Sequence, residues 1–309
     1  MTVAVSVVIP HYGAPDQTVD LLADLAAQRG SVPCEVIVAD DASPEPFPRE
    51  IATAYGVRLV RRERNGGFGS ACNSGAAVAA GPSLLFLNSD TRVGPTFVSD
   101  LVAQSAPFQP AVTGPAVTGH GTLVATGRRW VSARHFAAEW SIPVRKLRAA
   151  RGLPLDTARV AGAIGGQVAP VDWLFGVALL MPTADFRRVG GFDERFFMNC
   201  EEMDLQRRLA ETGVPAVYLG TVTIEHAGGG SSGHGPQVEW LTDARLRYAD
   251  KWGFGRRLRL LLTLAAVGNA AFHGVRAALG RSTSIRAQWE RDMDLIWKRT
   301  PMRRHPRTR

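Results

Sequence analysis

Several short stretches of this sequence, residues 3–9, 35–39 and 84–87, are apolar apart from Ser6 and Glu35 and lack the alternation of a half-buried strand. A strand loses that alternation when both of its faces are covered, so these runs point to strands in the middle of a layered domain. Helical patterns lie between them: residues 16–28 put Val19, Leu22, Leu25 and Ala26 on one face, residues 69–80 are Ala-rich, and residues 96–104 repeat the helical period. A further strand signal at 57–60 completes a β-α-β-α order, which predicts an α/β fold with a mainly parallel sheet flanked by helices. Ligands in such sheets collect outside the carboxyl ends of the strands. Those ends are polar here: Pro10-His11-Tyr12, Asp40-Asp41-Ala42-Ser43 and Asn88-Ser89-Asp90.

The remainder of the chain is less regular. Residues 128–159 interleave eight Arg and Lys side chains with Trp130 and Trp140 and read as a flexible or inserted segment. An apolar stretch at 173–181, a helix at 201–211 and short strands around Val217 and Thr223 follow. With 309 residues, 45% hydrophobic and 21% charged, most of the chain is expected to fold. Its net charge of +8 is unevenly placed, because residues 251–309 hold 14 basic and 3 acidic side chains. The expected division is therefore a domain at 1–250 and a basic, amphipathic helical tail at 251–309. Cys34, Cys72 and Cys200 are too few and too scattered for a disulfide framework or a zinc site, which suits a reducing cytosol. The first apolar run lacks the basic flank of a signal peptide, and residues 260–275 fall short of the roughly 20 needed to span a bilayer.

The chemistry-bearing residues each admit two readings. Neither G-x-x-x-x-G-K-[ST] nor a G-x-G-x-x-G after the first strand is present. The glycines of 65–69 either admit a ligand close to the backbone or form the turn into a helix. Asp40 and Asp41 either bind a ligand at a strand end or cap the next segment. Asp90 suits a divalent cation beside a diphosphate, or a turn. His226 is structural or completes a metal site beside the glycines that follow it. Glu201, Glu202 and Asp204 either complement a helix dipole or offer a base for a hydroxyl too weakly acidic to attack unaided.

Five motifs occur in order: residues 6–10 (SVVIP), 38–43 (VADDAS), 65–73 (NGGFGSACN), 87–90 (LNSD) and 190–198 (GGFDERFFM). Together they resemble the family 2 glycosyltransferases, and most closely the bacterial rhamnosyltransferase-like branch, over about residues 4–250. The resemblance implies a GT-A fold, a dTDP- or UDP-sugar donor such as dTDP-rhamnose, Mg²⁺ or Mn²⁺, and an inverting displacement. It assigns Pro10, Tyr12, Asp40, Asn65, Gly67, Phe68, Asn73, Asn88 and Asp90 to the donor, with Asp40 on the pyrimidine. Asp90 and His226 are implied as metal ligands, Glu202 with Glu201 as the catalytic carboxylates, and Trp173, Gly176 and Asp204 as the acceptor side. Two positions depart from the family pattern. Asn88 replaces the first carboxylate of D-x-D, and Glu202 stands where an aspartate is usual, moving the carboxylate by about 1 Å, a displacement that can cost a hundredfold in rate.

The implied acceptor is a cell-envelope glycan or a polyprenyl-linked molecule, with the Arg- and Trp-rich segment either gripping its pyrophosphate or forming a solvated loop. A nucleotide-sugar-binding protein with lost turnover is the alternative, motivated by Asn88 and Glu202. The basic tail alone argues for nucleic acid, and the aromatic modules that would support it are lacking. In the tail, Leu260, Leu261, Leu264, Val267, Ala271, Phe272, Val275 and Leu279 recur at helical spacing beside arginines. That pattern suits a helix lying on an anionic membrane, which would put a cytoplasmic protein at the inner membrane face. It equally suits a helix packed on the domain or on a second copy of the chain.

Overall fold

The structure, a computed structural model, describes residues 2–30, 32–119, 121–155, 158–160, 162–163, 165–227, 236–280 and 284–298. Two units can be distinguished: Met1–Arg129 with Arg159–Gly233, and Trp130–Ala158 with His234–Arg303. The expected boundary at 250 falls instead inside the second unit.

In the first unit the chain runs β1 (Val5–His11), α1 (Asp16–Ala26), β2 (Cys34–Asp40), α2 (Arg49–Ala54), β3 (Arg58–Arg61), α3 (Phe68–Ala77), β4 (Ser83–Leu87), β5 (Thr91–Val93), α4 (Phe97–Ser105), β6 (Val112–Gly119), β7 (Thr122–Val124) and β8 (Gly127–Arg128). The second unit takes α5 (Ala133–Trp140) and α6 (Ile142–Ala150). The first resumes with β9 (Val168–Val171), β10 (Trp173–Leu174), β11 (Ala178–Pro182), α7 (Thr183–Arg188), α8 (Glu201–Glu211) and β12 (Ala216–His226). The second closes with α9 (Pro236–Lys251), α10 (Gly255–Ala278) and α11 (Ile285–Trp297).

The sheet order is β3-β2-β1-β4-β11-β6-β12-β5, with β7 beside β6 and β9 beside β12. The unalternating runs are its centre. Val5, Val7 and Ile9 of β1 enter one core with Leu21 and Leu22 of α1 and Phe97 and Leu101 of α4. Val8 faces the other way, into a core with Cys72 and Ala76 of α3, Phe186 of α7 and Leu205 and Leu209 of α8. The β1–β2, β1–β4 and β2–β3 pairs are parallel as expected. β11, however, runs antiparallel between β4 and β6. Its pattern hides this: Leu179 and Leu180 feed opposite cores, and burial on both faces carries no information about strand direction. The two short strands expected around Val217 and Thr223 are one strand, β12, with a register shift between Leu219 and Thr223.

Within residues 128–159, expected as a flexible or inserted segment, the chain forms the two helices α5 and α6. Ser132 and His135 form a reciprocal capping box at the start of α5, and Ser141 caps α6 by accepting the Val144 N–H. Asn269 of α10 then holds the junction, accepting the Ile142 N–H at 2.7 Å and donating to the Trp140 carbonyl at 3.3 Å.

In the first unit, the loop from β3 to α3 is locked at Gly67, whose φ is +87°. A Cβ there would lie 1.7 Å from the Phe197 carbonyl oxygen, so only glycine lets the 197–200 loop rest on the start of α3. Gly67→Ala is expected to cost about 3 kcal/mol or more in urea unfolding. Gly190→Ala, at φ +79° with open space around it, should cost only the left-handed backbone penalty of about 1–2 kcal/mol. Equal losses would show that the Phe197 carbonyl yields.

Candidate active site

β2 and β3 end in opposite charges placed side by side. Their parallel register sets Asp40 against Arg61. Asp40 is wholly buried, and its oxygens accept from the Ser43 N–H at 2.8 Å, the Phe47 N–H at 3.1 Å and the Arg61 guanidinium. Burial pushes its carboxyl up, but the bonds from Ser43, Phe47 and Arg61 outweigh it and hold the group below the ordinary aspartate value. Asp40, expected either on the donor's pyrimidine or as a cap for the next segment, thus shapes the loop that follows β2. The neighbouring Asp41 accepts the Gly66 N–H at 3.0 Å and the Gly67 N–H at 2.7 Å and pairs with Arg62 Nε at 2.8 Å. Its pKa is raised by burial, with those donors offsetting only part of the effect. Asn65 Oδ1 accepts the same Gly67 N–H at 3.1 Å, tightening the turn into Phe68.

At the end of β4, the Asn88 N–H is held by the Val177 carbonyl at 2.9 Å, and the Thr91 hydroxyl donates to the Asn88 carbonyl at 2.6 Å. The chain thus turns at once into β5, which pairs with the last residues of β12, Thr91 opposite His226. This register brings Asp90 and His226 together, Oδ1 to Nε2 at 3.0 Å. The Asp90 carboxylate suits Mg²⁺ or Mn²⁺, hard ions that commonly complete their shell with substrate phosphates and water, whereas an imidazole is a more usual ligand for softer divalent metals. No cluster of three or more His, Cys, Asp or Glu groups fit for a metal occurs among the described residues. The glycines expected beside His226, from Gly228 onward, lie outside the described residues.

The two glutamates expected as catalytic carboxylates open α8 after two residues in left-handed conformation. Asn199 and Cys200 have φ of +71° and +65°. The third described non-glycine residue with positive φ, Ala42 at +59°, directly follows Asp41. Each such conformation costs about 1–2 kcal/mol, and they gather here at the acidic loops. Glu201 is 3% exposed and lies below α3, its Cβ 3.6 Å from where a side chain on Gly69 would begin. Glu202 is half-buried, beside Gly176 and Phe68. Burial raises the Glu202 carboxyl to about 7. Burial, and then the charge of Glu202, push Glu201 well above the usual carboxylate range. Oε2 of both glutamates and Oδ1 of Asn88 are buried polar atoms without a protein hydrogen-bond partner. Native proteins leave few such atoms, and a water, an ion or a ligand commonly meets them.

Exposure and hydrogen-bond partners separate the expected site residues. Pro10, Tyr12, Asn65, Phe68, Asn88, Asp90, Gly176, Glu202 and His226 are half-buried. Asn73, half-buried as well, Trp173 and Asp204 are tied to internal partners. Asn73, expected at the donor, clamps Phe192 instead, its Nδ2 donating to the Phe192 carbonyl and its Oδ1 accepting the Phe192 N–H, both at 2.9 Å. Trp173, expected at the acceptor, is buried with its indole N–H on the Arg129 carbonyl at 3.0 Å. Asp204 is fully buried and paired with Arg208 at 2.9 Å, a bond along α8 rather than toward an acceptor. Three contributors were not expected. Arg61 and Arg62 follow the β3 run as Asp40 and Asp41 follow β2, and matching the two charge pairs across adjacent parallel strands would have found them. Gln206 gave no sequence signal; its amide accepts the Leu174 N–H and donates to the Leu174 carbonyl, both at 2.8 Å, and to the Glu202 carbonyl at 3.0 Å.

Comparison with known proteins gives this geometry a context. The chain is 29% identical over 283 residues to an N-acetylglucosaminyl-diphospho-decaprenol L-rhamnosyltransferase of Mycobacterium tuberculosis, covering 84% of this chain and 88% of that protein. It is 32% identical over 229 residues to a validoxylamine A glucosyltransferase of Streptomyces hygroscopicus, covering 68% of this chain and 48% of that protein. Among solved structures, S. aureus TarS 1–349 in complex with UDP superposes with a TM-score of 0.54 at 15% identity over 95% of this chain and 80% of that one. GalNAc-T7 with UDP, GalNAc and Mn²⁺ does so with a TM-score of 0.55 at 16% identity over 76% and 45% of the respective chains. These likenesses establish a GT-A type fold. The glycosyl transferase family 2 profile matches residues 6–169, more than half of the chain, and the protein belongs to that family.

Proposed function

We propose that the protein is a metal-assisted inverting glycosyltransferase in which Glu202 is the base, the donor is a dTDP- or UDP-sugar, and the acceptor is a hydroxyl of a glycan or polyprenyl-linked molecule. The observation that carries this is the placement of Glu202: half-buried, one oxygen unpartnered, its carboxyl raised to about 7, in the first turn of α8 beside Gly176. A base poised near neutral pH combines a useful ionised fraction with the strongest pull on a proton. Glu202 takes the acceptor hydroxyl proton as that oxygen bonds to the anomeric carbon; the bond from that carbon to the diphosphate breaks, and the nucleoside diphosphate leaves with the electron pair. Glu201, buried and held neutral, walls the pocket below the base.

Pro10, Tyr12, Asn65 and Phe68 offer the donor's nucleoside a half-buried edge at the ends of β1 and the β3–α3 loop, and Asn88 presents its free Oδ1 beside it. Asp90 and His226 would hold the divalent cation, which when bound neutralises the departing diphosphate. The decaprenol-linked substrate named for the mycobacterial relative favours a lipid-linked acceptor, and the UDP complexes of the structural neighbours favour a pyrimidine nucleotide.

Glu202→Gln, which keeps the shape and removes the basicity, should lower kcat by roughly 10² to 10⁴ while calorimetry shows unchanged nucleotide binding. In the wild type, kcat/KM should rise with pH through about 7 as Glu202 ionises, and this limb should vanish in the variant. Stability has the opposite slope. The folded pKa lies above the ordinary value of 4.5, so the contribution of Glu202 is full below 4.5 and is lost as pH rises through about 7. Wild-type melting should therefore fall relative to Glu202→Gln across that window.

Asp90→Ala and His226→Ala should each abolish the Mn²⁺-dependent part of the thermal shift caused by UDP or dTDP, and chelation should stop transfer. Full transfer by Asp90→Ala in EDTA would exclude the metal assignment.

A further inference from the structure

The second unit carries a surface that sugar transfer does not use. Helix α10 buries Leu258, Leu262, Ala266 and Asn269 on one side, and α5, α6, α9 and α11 pack against it. On the opposite side Leu260, Leu264, Val267 and Val275 are 59%, 58%, 50% and 62% exposed, and Ala271 is exposed between them. Their spacing of three and four residues puts them on one line, which at 1.5 Å per residue runs for about 22 Å. Soluble proteins seldom leave an unbroken apolar face of that extent in water without a partner for it.

We propose that α10 lies in the surface of an anionic bilayer, seated through Leu260, Leu264, Val267, Ala271 and Val275. Charge selects the occupant. Arg256 and Arg257 are exposed at the N-terminal end of the same line, and the segment 251–309 holds 14 basic residues against 3 acidic ones. A second copy docking on this face would bring the same cationic segment against itself, as a twofold interface requires. Anionic headgroups neutralise it instead, and each basic residue near such a surface adds to the attraction. Trp297 supports the same orientation. Its indole N–H donates to Thr263 Oγ1 at 3.1 Å, and the residue is 58% exposed beside the apolar line, where an amphipathic ring suits the headgroup level.

The helix lies in the interface rather than across it. Its 24 residues are long and apolar enough to cross. But its inner face is tied to α6 through Asn269, and α6 exposes Arg145 and Lys146. Crossing would draw those charges toward the hydrocarbon, whereas lying flat leaves them in water.

Sedimentation of the full-length chain with vesicles tests this apart from sugar transfer, because nucleotide binding by the first unit is a separate readout. The protein should pellet with phosphatidylglycerol–phosphatidylcholine vesicles at low salt, much less with pure phosphatidylcholine, and progressively less as salt rises. Leu264→Glu with Val267→Glu should lower the partition about tenfold or more while leaving melting and nucleotide binding unchanged. Arg256→Glu with Arg257→Glu reaches the same face through charge and keeps the test decisive if glutamates on the apolar line disturb α10. Failure of the full-length chain to pellet with anionic vesicles at low salt overturns the proposal. So does wild-type partition by both double variants, or a dimer in light scattering that Leu264→Glu with Val267→Glu converts to monomer.

Discussion

The site depends on the charge ladder at the ends of β2 and β3. Two aspartates leave one strand and two arginines leave its parallel neighbour, so Asp40 meets Arg61 and Asp41 meets Arg62. Burying a carboxylate is costly unless its acceptors are filled. Asp41 fills them with the Gly66 and Gly67 N–H groups, which draws the β3–α3 loop inward. That movement sets Gly67 against the Phe197 carbonyl, and Phe197 is four residues before Glu201. A chain of contacts thus runs from a strand-end ion pair to the first turn of α8. Arg62 extends it by donating to the Ser70 carbonyl at 2.8 Å and Ser74 at 2.6 Å, which fixes α3 to the same node.

The glutamate at 202 makes sense within that frame. Its Cβ and Cγ lie 3.4 and 3.5 Å from the point where a side chain on Gly176 would begin. The glycine is a wall without bulk, along which the extra methylene of glutamate can lie. Gln206 holds this wall in register, because its amide clamps both backbone groups of Leu174, two residues before Gly176, and also bonds the Glu202 carbonyl. The two glutamates are separated by burial. Glu201 is enclosed under α3, while Glu202 keeps partial access to solvent, so the pocket assigns ionisation to the outer of the two.

What the sequence made legible follows from what burial records. The unalternating runs of β1, β2 and β4 announced strands covered on both faces, and helix α8 lay where its period put it. Asp90 and His226, far apart in the chain, were each readable as strand-end groups and meet through the β5–β12 pairing. Strand direction was not legible, because β11 buries Leu179 and Leu180 equally well either way up. Nor was the difference between a polar residue that faces a ligand and one that holds a loop. Asp40, Asn73, Trp173 and Asp204 have the chemistry of site residues, and each has an internal partner; tertiary structure supplies those of Asn73 and Trp173, whereas Ser43 meets Asp40 and Arg208 meets Asp204 from three and four residues along the chain. In residues 128–159 the arginines and tryptophans drew attention away from Ser132 and Ser141, the caps at the starts of α5 and α6.

Helix α10 shows the limit of periodicity most directly. Leu258, Leu262 and Ala266 form one helical line, and Leu260, Leu264 and Val267 form another on the far side. Both carry the spacing of a packed face, so hydropathy alone identifies the line picked out in the sequence equally well as core or as surface. The deciding residue is polar. Asn269 continues the inner line, and its amide satisfies the Ile142 N–H and the Trp140 carbonyl where α5 gives way to α6. A buried amide must have such partners, and they lie on the side where Leu258 and Leu262 pack. The line of Leu260, Leu264 and Val267 is therefore the outer one, and its apolar character requires a reason other than the core of this chain.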